Sequence, residues 1–120
     1  NIDLAKETAL RLESTQGAVV EAHIDSADAG FLQSVARQMT SQGTSRPGLL
    51  TCTNDSGEFL LLYHAGNSDI DLVTIGNHVA TLLEGRGGGS PRLFQGKAGS
   101  LQRRKEAISI LENAISDRSR

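Results

Sequence analysis

The run Phe59-Leu60-Leu61-Leu62-Tyr63 shows no alternation of polar and apolar residues. Successive side chains of a strand point to opposite faces, so an unbroken apolar strand has to be covered on both. The rest of the chain supplies the cover. Ala5, Ala9 and Leu12 fall at helical spacing over Ile2 to Ser14, and Gly17 stops that helix. Phe31, Leu32, Val35, Ala36 and Met39 line a second helix, roughly Asp28 to Gln42, capped by Asp25 or Ser26. Leu72, Ile75, Val79, Leu82 and Leu83 line a third, capped by Asp69 or Asp71 and ended by Gly85. Leu101, Ala107, Ile108, Leu111, Ala114 and Ile115 line a fourth, from a Ser100 cap to about Ser116.

Strands fill the intervals. Gly17 to Ile24 reads as a strand with Val20, Ala22 and Ile24 on one face. Leu49 to Thr53 and Glu58 to Ala65 form a hairpin around Asn54-Asp55-Ser56-Gly57. Ser41 to Gly48 is a polar turn, Gly66 to Asp71 a loop, and Gly85 to Pro91 another loop. Arg92 to Lys97 is a short strand. The order is a helix followed by β-α-β-β-α-β-α. The fold class is α/β, a small mixed sheet covered by helices and preceded by the end of a longer helix. Residues 1–15 are that linking helix and 16–120 the domain proper.

At 120 residues, 38% hydrophobic and 22% charged, the chain suits one globular domain with one modest core. It has no apolar run long enough to span a bilayer and no basic-apolar leader. Asn1 falls inside the first helical pattern, which suggests a piece cut from a longer protein whose targeting signals lie upstream. The lone Cys52 allows no internal disulfide and reads as a small buried hydrophobe in a reducing compartment. A cytoplasmic location is expected, or a mitochondrial one if a leader lies upstream. His23, His64 and His78 have no metal-ligand spacing, and they read as surface or packing residues.

The net charge is −2, but it is unevenly placed. From Gly85 to Lys105 the chain carries Arg86, Arg92, Lys97, Arg103, Arg104 and Lys105 with no acid between them. Of 12 basic residues, 6 are therefore here, and the other 6 face 14 acids elsewhere. A basic patch attracts phosphates whatever the total charge. The triplet Gly87-Gly88-Gly89 is more than a helix stop requires, and it lets a phosphate or sugar approach backbone N–H groups arranged as an anion nest. Arg103-Arg104-Lys105 open the last helix, where the dipole disfavours cations by roughly 0.3–1 kcal/mol each and an arriving phosphate removes the penalty. Arg104 shares a stripe with Leu101, Ile108 and Leu111, which aims it back toward the glycine loop. A solvated charge run beside a flexible turn is the plain alternative.

The segment Leu83-Glu84-Gly85-Arg86-Gly87-Gly88-Gly89-Ser90-Pro91, followed by Phe94-Gln95-Gly96-Lys97-Ala98, resembles the C-terminal domain of alanyl-tRNA synthetases, alanyl-tRNA editing proteins and DHH-type phosphoesterases. The family pattern is G-x-G-G-G, a few residues, then a glutamine followed by small residues. Gln95-Gly96-Lys97-Ala98 with Arg103-Arg104 and Glu106-Ala107 looks most like the free-standing editing proteins. Lys97 departs from the bacterial synthetases, which usually carry small residues there. The resemblance runs from about Gly17 to the end and is strongest in the last third. It implies an accessory domain that helps its parent grip tRNA(Ala), with Gly87, Gly88, Gly89 and Gln95 as motif positions. Charge placement adds Arg86, Arg92, Lys97, Arg103, Arg104 and Lys105, and Gln95 is suited to a base edge or 2′-OH.

The resemblance places the family's editing chemistry in a separate domain with a His-x-x-x-His and Cys-x-x-x-His zinc site. Neither spacing occurs in this chain, so no catalytic residue, metal ligand or cofactor is expected within it and zinc is expected in the parent. A synthetase parent is the alternative to an editing protein. Two other readings stand beside RNA binding. One is a homodimer through the N-terminal helix, with Leu4 and Leu12 on the partner. The other is a phosphoesterase, ranked last because no Asp and His cluster has a metal spacing.

Overall fold

The computed structural model describes residues 2–42, 46–65 and 70–118. Its elements are α1 (Ile2–Glu13), β1 (Val20–Asp25), α2 (Ala29–Ser41), β2 (Gly48–Asn54), β3 (Gly57–Tyr63), α3 (Leu72–Leu82), β4 (Arg86–Ser90), β5 (Leu93–Ala98) and α4 (Arg104–Arg118). The strands form one sheet in the order β1-β2-β3-β5-β4, so the apolar run lies on the middle strand. Leu60 and Leu62 enter one core with Leu49, Phe94, Val79 and Leu111, under α3 and α4. Leu61 and Tyr63 enter the other with Leu50, Ala9, Val35 and Met39, under α1 and α2. The expected double cover is therefore present. Each such side chain contributes about 1.5–3 kcal/mol by leaving water.

β1 and β2 run parallel, which requires a crossover, and α2 supplies it. The other pairs are antiparallel. The β2–β3 hairpin closes where Asn54 pairs with Gly57. The Ser56 amide donates to the Asn54 side chain at 2.7 Å, and Gly57 takes φ +129°, a region few L side chains enter.

Several boundaries differ from expectation for local reasons. β1 begins at Val20, not Gly17, because Gly17 turns the chain at φ +112°. The cap of α2 is Asp28, which accepts from the Phe31 amide at 2.8 Å; Ser26, at φ +61°, belongs to the preceding turn. Asp71 caps α3 through the Val73 amide at 2.9 Å. Asp69, Asn1, residues 43–45 of the polar turn and residues 66–68 lie outside the described residues. Ser100 does not cap α4. It accepts from the Gln102 amide at 3.2 Å and shapes a turn, so the helix starts four residues later.

α1 shares the second core, with Ala5 and Ala9 fully buried. Leu12 is also buried, 6% exposed, so it packs within its own chain and is not offered to a partner; Leu4 is 51% exposed. The Arg46 guanidinium fastens the far end of α1. It donates to the carbonyls of Thr15 at 2.7 Å, Glu13 at 3.2 Å, Gly17 at 3.2 Å and Leu12 at 3.4 Å. Leu12 and Glu13 are in the last turn of α1 and Thr15 and Gly17 in the turn after it, and a cation suits the dipole at a helix C-terminus. Cys52 is buried, and burial pushes its thiol up, which disfavours the thiolate. The Tyr63 ring lies against Gly48, where an added Cβ would stand 2.5 Å from it. Its hydroxyl finds no partner among the described residues, and burial raises its pKa.

Gly76 lies inside α3 and under the Phe94 ring, and a Cβ there would overlap ring carbons. Exchanging Gly for Ala in a helix interior ordinarily stabilises by about 1 kcal/mol. Overpacking typically costs about 1–3 kcal/mol. Gly76→Ala is therefore expected to lower stability, by about 1 kcal/mol or more, as a drop in urea midpoint. A raised midpoint would show that Phe94 moves aside freely.

Candidate nucleic-acid interface

The glycine triplet is a strand and not a loop. Arg86 to Ser90 form β4, the edge of the sheet, paired residue by residue with β5. All five residues are exposed. The expected anion nest is absent because the backbone is extended; what β4 offers is the outward row of N–H and C=O groups of an edge strand. The glycines allow the two backbones to approach. A Cβ on Gly85 would meet the Lys97 carbonyl, one on Gly89 the Leu93 carbonyl, and one on Gly96 the Arg86 carbonyl. A Cβ on Gly87 would stand 2.5 Å from the Gln95 carbonyl. Gly88 differs, with nothing within 4 Å of its Cβ position.

Register decides which side chains share a face. Lys97 lies opposite Phe59, Gln95 opposite Leu61 and Leu93 opposite Tyr63, all on the face covered by α1 and α2. Across β4, Arg86 lies opposite Lys97, Gly88 opposite Gln95 and Ser90 opposite Leu93. α2 lies over β2 and β3. A groove therefore runs between α2 and the β4–β5 hairpin. It has two hollows that share Gln95. One, of about 440 Å³, is bordered by Gln33, Arg37 and Thr40 of α2 and by Arg92, Leu93 and Tyr63. The other, of about 220 Å³, is bordered by Phe59, Leu61 and Lys97. No Asp or Glu lines either hollow among the described residues. Hollows elsewhere carry Asp25 and Asp28, or Glu58.

Within the groove the Gln33 amide donates to the Gln95 side-chain oxygen at 2.6 Å. The Lys97 ammonium stands 5.6 Å from the Phe59 ring centroid, a cation–π contact of about 0.5–1 kcal/mol at an exposed site. Gln33 and Arg37 were not legible as site residues in the sequence. They are four apart on a helix, so they share a flank, but only the tertiary fold turns that flank toward β5.

The three cations at the start of α4 do not join this groove. Arg103 donates to both Glu106 oxygens, at 3.0 and 2.6 Å, and those hydrogen bonds hold the Glu106 carboxyl below its ordinary range. The helix start is thus partly neutralised from within the chain, by an acid in its first turn. Arg104 does not point toward the glycines. It borders a hollow with His23, Thr53 and Glu58 at the β1–β2 side of the sheet. Lys105 is exposed and makes no ion pair among the described residues. The six cations therefore divide into Arg86, Arg92 and Lys97 on the hairpin and Arg103, Arg104 and Lys105 on α4.

The histidines lie apart from one another and are locally employed, and His64 also borders the larger hollow. His23 contacts Thr51 at 2.9 Å and Asp25 at 3.1 Å. His64 is buried, and its Nε2 lies 2.9 Å from both the Ile70 and Pro91 carbonyls. A carbonyl can only accept, so that nitrogen carries a proton and ties the entry to α3 to the hairpin turn. His78 is exposed. Among the described residues no three His, Cys, Asp or Glu side chains form a metal-binding group, and no helix is long and apolar enough to cross a membrane.

This fold is that of the C-Ala domain from Aquifex aeolicus alanyl-tRNA synthetase, with TM-score 0.72 over 82% of this chain and 90% of that one, at 17% identity. It also recurs in RecJ from Thermus thermophilus, with TM-score 0.71 over 97% of this chain and 18% of that one, again at 17% identity. No protein-family model matches the chain. The sequence is 37% identical over 119 residues to the alanyl-tRNA editing protein Aarsd1 of Mus musculus, and 34% identical to that of Rattus norvegicus. Both matches take in 98% of this chain but only 28% of the relative's length. The chain belongs to the family of alanyl-tRNA editing proteins, and it shares the fold of the synthetase C-Ala domain.

The glycine contacts give a paired expectation. Gly89→Ala drives a methyl into the β5 backbone and should cost at least about 2 kcal/mol, seen as faster hydrogen exchange of β4 and β5 amides and a lower Tm. Gly88→Ala meets open space and should stay within about 0.5 kcal/mol of wild type. Equal losses at the two positions would mean that backbone approach does not set the need for glycine.

Proposed function

We propose that this chain is the tRNA-binding accessory domain of an alanyl-tRNA editing protein and that it positions tRNA(Ala) for a catalytic domain outside these 120 residues. The observation that carries the reading is the acid-free cationic groove on a chain of this family. Arg86, Arg92 and Lys97 neutralise phosphates along the hairpin, and Arg104 and Lys105 add a second cluster at α4. Gly87, Gly88 and Gly89 present backbone with no side chain in the way, and Gln95 is a base-edge or 2′-OH partner on the groove floor. Arg103, held by Glu106, contributes less than its neighbours. Editing hydrolysis and its zinc belong to the parent's other domain in this reading, as does its cytoplasmic setting. Affinity for a tRNA(Ala) transcript is expected to fall with salt. Arg86→Ala with Lys97→Ala should weaken binding and reduce the slope of log K against log salt by about 1 for each phosphate no longer neutralised. Affinity and slope both unchanged would remove the hairpin from the interface.

Homodimerisation through α1 has one supporting observation. Leu10 is 56% exposed and Leu4 51%, large apolar side chains on a helix whose inner stripe is already buried. Sedimentation of the chain is expected to show self-association that Leu10→Lys with Leu4→Lys abolishes. A monomer at high concentration would dismiss it.

A further inference from the structure

We infer that the larger hollow, between α2 and β5, seats one unpaired nucleotide of a bound RNA, with Gln33 and Gln95 meeting its base edge and Arg37 and Arg92 meeting its phosphate. The inference rests on the RNA-binding reading above and adds two residues, Gln33 and Arg37, and a class of RNA feature. The charge of the hollow comes first. Two guanidinium groups border it and no carboxylate does among the described residues, so an anionic ligand is favoured over a cationic or neutral one. Arginine matches the planar oxygen pairs of phosphate.

The amide pair comes second. Gln33 Nε2 donates to Gln95 Oε1 at 2.6 Å, which aligns the two side chains across the groove. Each glutamine carries two donor hydrogens and an acceptor oxygen. One donor–acceptor match is used between them, leaving the Gln95 amino group and the Gln33 oxygen. Exchanging O and N in both amides still leaves a donor and an acceptor for a ligand. A base edge carries both kinds of group, and a pre-formed pair loses little freedom on binding. Ala36 and Leu93 supply apolar walls, and the two rings at the border, Tyr63 and His64, are buried, so recognition comes from the edge and not from stacking on an aromatic platform.

The shape of the hollow comes third. α2 walls one side and the hairpin the other, so a base reaches the amides only when splayed from its stack. A duplex would present phosphates to Arg37 and Arg92 but hold its base edges paired. An unpaired strand is therefore the preferred ligand.

The test uses the full chain and fluorescence anisotropy with three probes. They are a short single-stranded oligoribonucleotide, the same strand annealed to its complement, and a tRNA(Ala) transcript. The single strand is expected to bind about tenfold tighter than the duplex. Arg37→Ala should weaken the single strand about tenfold and lower its salt slope by about 0.7. Gln33→Leu should leave the slope alone and narrow the preference for single strand over duplex. Arg37 is exposed and Gln33 half-buried on α2, and circular dichroism of both variants confirms that each is folded. If the duplex competes as well as the single strand, or both variants bind like wild type while tRNA still binds, this inference falls and the general RNA reading stands. If the wild-type chain binds none of the three probes, both fall together.

Discussion

Everything in this chain is arranged around a strand that cannot face water on either side. Leu60 and Leu62 need one layer of helix and Leu61 and Tyr63 another. Among the described residues four helices build two layers over five strands. The layers are consequently unequal. On the α3–α4 face the cover reaches β5, where Phe94 is fully buried against Gly76. On the α1–α2 face the cover extends over β2 and β3, and the hairpin beyond projects past it. The candidate groove is the space left where the second layer ends. Its floor is the sheet itself, which gives its polar groups a rigid support.

Periodicity made the four helices legible, because one-sided burial imposes a period, and β3 was legible as an unbroken apolar run, because two-sided burial removes one. β4 was illegible for the opposite reason. Arg-Gly-Gly-Gly-Ser has no hydrophobic period and low strand propensity, and its conformation is set by the partner strand. Contiguity misled in the same region. Six cations within 21 residues read as one patch, yet a strand, a turn and a helix start carry them to two places. Conversely Gln33 and Gln95 are 62 positions apart and hydrogen-bonded, a relation no local pattern contains. Caps were ambiguous wherever two acids or hydroxyls lay within a few residues, since the choice between them depends on the turn before the helix.

The family motif also takes on a physical meaning. Its glycines are not spaced for a phosphate-binding loop. They fall on both strands of a hairpin, Gly87 opposite Gly96; at Gly87, Gly89 and Gly96 a methyl would strike the facing backbone, while Gly88 meets open space. Gln95, the motif's one polar side chain, falls between them on the groove side. The pattern that identified the family thus spells a close-packed ribbon with one functional group on it.

β4 ends the sheet with an exposed row of backbone donors and acceptors. Such an edge can recruit a strand from another molecule and start aggregation. Three glycines make a poor template for that, since no side chains are present to pack against an incoming strand and ordering glycine is entropically costly. Arg86 at one end and Pro91 just past the other discourage extension further. The composition that admits a close backbone partner within the chain therefore also protects the sheet from unwanted partners outside it.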